Sequence, residues 1–212
     1  MTHNRPTLRR AAALVAAGTA CLLLTACGGD GDSTTPTHGS HASASASASA
    51  PASAGRHNAA DTAFAQGMIP HHRQAVEMAG LAPDRAGSAQ VKKLAEDIEK
   101  AQEPEIRTLS GWLASWGEDV PAEGSTDHSG HTMGGMGGMM TAEDMDALKK
   151  AKGRAFDRAF LKMMIEHHEG AVDMARAEQS GGAHAPAKKM AGRIITSQSA
   201  EIDLMKQLLD RG

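Results

Sequence analysis

The chain has 212 residues, with 22 Lys and Arg against 25 Asp and Glu, 13 Met, 11 His, 2 Cys and no Tyr. Only 2% of the residues are aromatic, which disfavours a β-sandwich or barrel, because strands draw on aromatic and β-branched side chains. The formal charge of −3 gives no basic footprint for nucleic acid, and helix formers dominate the second half, so an all-α domain is expected.

The first segment is expected to lie outside that domain. Arg5, Arg9 and Arg10 form a positive n-region, and residues 11–24 form an apolar stretch too short to span a bilayer comfortably. It ends in Leu24-Thr25-Ala26-Cys27, the pattern of a bacterial lipobox. Residues 1–26 therefore read as a lipoprotein signal peptide, with Cys27 as the lipidated residue. The mature chain would be exported and anchored to the outer face of a bacterial membrane through that lipid alone. Removing the three signal arginines leaves 19 basic against 25 acidic residues, a formal charge of −6, which further disfavours nucleic acid or an anionic membrane surface as partner. Cys21 leaves with the signal and Cys27 is taken by lipid, so any soft metal ligand must be Met or His. Residues 27–57 continue as Gly, Ser, Thr and Pro and then an Ala-Ser repeat. Such a segment has too little apolar surface to fold and reads as a flexible tether reaching about 30 Å.

Residues 58–212 contain an internal duplication at an offset of 96. Asp61 and Phe64 match Asp157 and Phe160. Met68-Ile69-Pro70-His71-His72 matches Met164-Ile165-Glu166-His167-His168, and Ala75-Val76-Glu77-Met78-Ala79 matches Ala171-Val172-Asp173-Met174-Ala175. Gln102 and Glu105-Ile106 match Gln198 and Glu201-Ile202. Copy one runs over 58–118, a linker over 119–140 and copy two over 141–212. Each copy reads as a helical hairpin, because Val91, Leu94, Ile98, Ile106, Leu109 and Leu113 recur at helical spacing, as do Met190, Ile194, Ile202, Met205 and Leu209. Ser88 is placed to cap the second helix, Thr141 to open the third and Pro186 to start the fourth. Two hairpins predict a four-helix bundle with twofold pseudosymmetry. Pro70 and Pro104 fall inside predicted helices and predict kinks or local breaks.

Helical spacing puts Met68, His71, His72 and Met78 on the inward half of the first helix, with His72 near the middle and His71 with Met78 on one flank. Met164, His167, His168 and Met174 repeat this in copy two. A methionine at helical spacing is commonly core filler, but two copies in one register favour metal ligation. Thioether and imidazole without thiolate suit Cu(I) best, and imidazole also holds Cu(II). Gln102, Glu105, Gln198 and Glu201 interrupt apolar seams on the partner helices and suit hydrogen-bonded support of the histidines rather than direct ligation. The glycine-rich linker presents His128, His131, Met133, Met136, Met139 and Met140, which would add weaker, mobile sites.

The two Met-Ile-x-His-His-x-x-Ala-Val-x-Met-Ala blocks, each followed by Gln-x-x-Glu-Ile, resemble the family called domain of unknown function 305, over residues 58–212. That resemblance implies a ferritin-like four-helix fold and copper binding outside the cytoplasm, as in the CopM-type members, with a role in copper tolerance. Exchange of copper with a protein partner and self-association stay open. Two other classes compete. A structural or partner-binding bundle with a Met-rich core would need no metal. A di-metal oxidase would need Glu-x-x-His on two helices, whereas Met68 and Ile69 stand three residues before His71 and His72. No phosphate loop or nucleophile motif supports another enzyme class.

Overall fold

The computed structural model describes residues 56–123 and 137–211. Among them lie six helices: α1 (Ala59–Gly80), α2 (Ala82–Arg85), α3 (Ala89–Trp116), α4 (Ala142–Lys150), α5 (Gly153–Gly181) and α6 (Ala185–Arg211). The only strand-like feature among the described residues is an isolated bridge between Ala86 and Gly153. No helix among them is long and apolar enough to cross a membrane. Helix α1 packs on α3, α5 packs on α6, and the two hairpins meet along α1 and α5. The protein is an all-α bundle, as the composition and spacing predict.

Local chemistry sets the boundaries. Asn58 caps α1 by accepting from the amides of Ala60 and Asp61, while the Asp61 carboxylate accepts from the Asn58 amide at 2.7 Å. Ser88 caps α3 through the Val91 amide at 3.0 Å. Thr141 forms a capping box with Asp144, but it opens the nine-residue α4 and not the long third helix of the bundle. Extended backbone at Ala151 and Lys152 ends that short helix, and the long one starts at Gly153. Pro186 lies one residue inside α6. Of the kinks or local breaks expected at Pro70 and Pro104, no break occurs, for α1 and α3 run through both. Proline removes its own amide bond, but tertiary packing holds these helices; the neighbours of Pro70, Ile69 and His71, are fully buried.

Two apolar clusters fill the bundle. One contains Met78, Val91, Leu94, Ile98, Phe156, Phe160, Met164 and Met205. The other contains Phe64, Met68, Ile69, Leu109, Leu113, Met190 and Ile194. Along α1 the second cluster precedes His71 and the first follows it; along α5 the order is reversed about His167. The hairpins are thus antiparallel about a polar level that separates the clusters. Matching residues also bind across the hairpins. Asp61 accepts from the amides of Ala183 and His184 in the turn of copy two, at 3.0 and 2.9 Å. Asp157 accepts from Gly87 in the turn of copy one at 2.9 Å. Each aspartate holds the other hairpin's turn, as a local twofold requires.

Candidate metal centre

The polar level consists of His71, His72, His167 and His168, all fully buried, with Gln102 and Gln198 almost so. An apolar side chain buried there would contribute about 1.5–3 kcal/mol, so this level gives up stability that the clusters above and below secure. His71 and His167 come from the two copies and face each other, with ring centroids 3.7 Å apart and planes inclined by 41°. His72 and His168 turn to the partner helix of their own hairpin. His72 Nε2 donates to the Glu105 carboxylate at 2.9 Å, and His168 Nε2 to Glu201 at 2.6 Å. Those carboxylates are about one-fifth exposed, at 20% and 21%, so they are less enclosed than the apolar seam predicts.

This arrangement corrects the expected facing of the pair. His71, on the flank of the predicted inward face, stands at the centre of the molecule, while His72 points to α3. The reason is that α1 buries two contact surfaces, one against α3 and one against α5, so the flank of the first is the middle of the second.

Three of the rings donate from Nε2, His71 doing so to the Gly137 carbonyl at 3.4 Å. In a neutral ring the lone pair then sits on Nδ1. The Nδ1 atoms of His71, His72 and His168 are buried with no hydrogen-bond partner, and neither nitrogen of His167 has a well-formed one. Burial pushes the His71 imidazole down to about 3, and burial with the nearby His71 and His168 rings holds His167 well below its usual value. Two uncharged imidazoles therefore share the axis. The buried amide oxygens of Gln102 and Gln198 also lack a donor.

Thioethers bracket this level. Of the four helix methionines predicted as ligands, Met68 lies in one apolar cluster with the partly buried Met174 packed against it, and Met78 and Met164 lie in the other, so each copy sends one of them to either side of the histidines. Among the described residues no group of three or more His, Cys, Asp or Glu is placed to hold a metal ion. A metal in this core would have to draw on methionine as well as histidine.

His128, His131, Met133 and Met136 lie outside the described residues. Residues 137–140 are seated on the bundle. The Gln74 side chain donates to the Met140 carbonyl at 2.9 Å and accepts from its amide at 2.7 Å. Gly138, at φ +83, lies so close to Glu166 and His167 that a Cβ would collide with their backbone, and a Cβ on Gly170 would collide with the Gly137 carbonyl. Near the other end of the linker, Arg73 donates to the carbonyls of Pro121 and Ala122 at 2.8 and 2.9 Å. This seating was not legible as such, although its signal is present: Arg73 and Gln74 stand where copy two has Glu169 and Gly170.

A second buried ionisable group lies where α1 meets the α5–α6 turn. Glu178 is almost fully buried against Asp61, and burial together with that carboxylate pushes it up to about 8. Desolvation acts upward on Asp61 too, but the amides of His184, Ala183 and Asn58 outweigh it and hold the group below its ordinary value. Beside them His184 stands edge-on to Trp112 and Trp116, with centroids 5.2 and 5.1 Å away.

The fold and this core define a class: a helical bundle whose two hairpins meet at paired histidines between two apolar clusters that contain methionine. The chain belongs to the family described as domain of unknown function (DUF305), whose model matches residues 61–209. A crystal structure of a DUF305 protein from Streptomyces coelicolor is 34% identical, with a TM-score of 0.66, over 72% of this chain and 93% of that one. CopM in the Cu(I)-bound form is 36% identical, with a TM-score of 0.59, over 71% and 96% of the two chains. CopM in the Cu(II)-bound form is 38% identical, with a TM-score of 0.61, over the same shares. A search of curated proteins returned no match.

Proposed function

We propose that this chain is an exported copper-binding protein that sequesters or buffers Cu(I) and Cu(II), contributes to copper tolerance and carries out no catalytic turnover. The observation that carries the reading is the set of buried imidazole nitrogens without partners, at a level between two apolar clusters that each contain methionine. An unpartnered buried polar atom costs about 1–3 kcal/mol, and a soft cation is what imidazole and thioether together satisfy. Met68, His71, His72 and Met78, with Met164, His167, His168 and Met174, would supply the ordered sites, with Cu(I) preferred. Glu105 and Glu201 would orient His72 and His168, leaving Nδ1 free for the metal. The likeness to CopM, solved with both oxidation states bound, supports copper as the cargo. Attachment through lipid on Cys27 rests on the lipobox, and weaker capacity in the linker rests on its His and Met spacing.

The test is competitive Cu(I) titration of the full chain, wild type beside His71→Ala/His72→Ala/His167→Ala/His168→Ala. The expected result is at least a hundredfold loss of affinity, about 2.7 kcal/mol, with helicity retained by circular dichroism. A milder variant, Glu105→Gln/Glu201→Gln, should cost about 10–100-fold. Equal affinity in all three proteins overturns the reading and leaves a structural bundle.

A further inference from the structure

A second group of thioethers lies where the end of the inter-hairpin segment meets α4, in a cleft that none of the four histidines lines. Met139, Met140 and Met145 line a cleft of about 550 Å³ together with Glu77, Glu143 and Asp146. The double hydrogen bond from Gln74 fixes the backbone of Met140, and the close seating of Gly137 and Gly138 fixes the chain just before it. Met145 is carried on α4, whose first turn is held by the Thr141–Asp144 capping box. The three methionines therefore reach one cleft from two anchored pieces of backbone.

The charge around them is one-sided. Three carboxylates line the cleft against one ammonium, Lys149, which pairs with Glu77 at 2.9 Å. A net charge of about −2 in a partly enclosed space attracts cations without selecting among them. Selection comes from the thioethers, which are soft and do not titrate, and so favour Cu(I) or Ag(I). A hard divalent ion such as calcium takes six to eight oxygens, and sulfur supplies none of them.

We propose that Met139, Met140 and Met145 form a separate site for one soft monovalent cation, with Glu143 and Asp146 drawing the ion into the cleft. The site extends the copper reading to a second place and rests on that reading only for the identity of the natural cation. Met145 lies outside both repeated blocks and outside the glycine-rich run, and the fold brings it to the other two.

The experiment is Ag(I) titration of the full chain carrying methyl-labelled methionine, followed by NMR and by stoichiometry. Three proteins are compared: wild type, Met139→Leu/Met140→Leu/Met145→Leu, and His71→Ala/His167→Ala. One equivalent should move the methyl resonances of Met139, Met140 and Met145 in wild type and in the histidine variant, and the triple leucine variant should bind one equivalent fewer. Met-to-Leu exchange conserves volume and costs little in a core. Should the triple variant lose its helical signal, Met145→Leu alone should weaken that equivalent at least tenfold. Stationary methyl resonances, or unchanged binding in the leucine variants, overturn the proposal. A histidine variant that loses no equivalent overturns the copper reading of the core while leaving this site standing.

Discussion

The two hairpins align without a gap at an offset of 96, yet they treat the segment that joins them differently. Copy one grips it: Arg73 holds the carbonyls of Pro121 and Ala122, and Gln74 holds both sides of the Met140 peptide. Copy two makes room: Gly170 stands at the position of Gln74, and its missing side chain is the space that Gly137 fills. At the far end the asymmetry runs the other way. Asp157 receives one amide from the opposite turn, whereas Asp61 receives two, together with the Asn58 amide, and lies against Glu178, whose counterpart in copy one is Ala82. A duplicated fold thus keeps its core symmetric and places its differences where a single segment or a single proton must be accommodated.

A direct difference between the halves should come from the turn clamps. Hydrogen bonds to a charged group are worth about 1.5–3 kcal/mol, so Asp157→Ala should cost about 1.5 kcal/mol and Asp61→Ala about 3 kcal/mol. Urea unfolding of the two variants at neutral pH checks this, and equal midpoints would remove the distinction. The pH dependence of Glu178 is at least as large, since a carboxyl moved from 4.5 to about 8 is worth more than either clamp. Its carboxyl titrates near 4.5 when free and at about 8 in the fold, so the folded chain holds an extra proton between those values. Stability from this group is therefore lost as pH rises across that window and is level above it. Asp61, held low, acts at the acid end, and its contribution is lost as pH falls below its ordinary range. Glu178→Gln should flatten the stability curve from about pH 5 to 8 and make the variant more stable than wild type at pH 8, as read by thermal melts across that range. The smallest effect on stability should come from Gly170→Gln, which gives copy two the side chain of copy one. It should unseat residues 137–140 and raise their amide exchange at least tenfold, while the melting midpoint stays level or rises, because glycine is the poorer helix former.

Most of the fold could be read from residue spacing, because the apolar residues of α3 and α6 repeat at three and four positions and the low aromatic content leaves strands little to pack. The polar level could be read as composition but not as orientation. His71 and His72 are adjacent, and which of them meets the other hairpin depends on where α5 lies, a fact that belongs to tertiary packing. No break follows at Pro70 because a local rule weighs one lost amide bond, and the interior around Ile69 and His71 weighs more. Thr141 and Asp144 announced a helix start correctly, but nothing before Ala151-Lys152-Gly153 tells a nine-residue helix from a long one. Met145 carries no signal in its own neighbourhood, since only the seating of Met139 and Met140 gives it company.

The contact between His71 and His167 also bears on how many segments the bundle can receive. Residues related by a twofold lie 3.7 Å apart there, so the axis passes between them, and Gly137 and Gly138 cross that spot. A polypeptide has direction, and a place on a twofold axis admits one directed strand in one of two opposite senses. Two separate hairpins, each bringing its own tail, would contend for it. A single chain with one connecting piece has no such rival, and the exchange of Gln74 for Gly170 decides which way that piece runs.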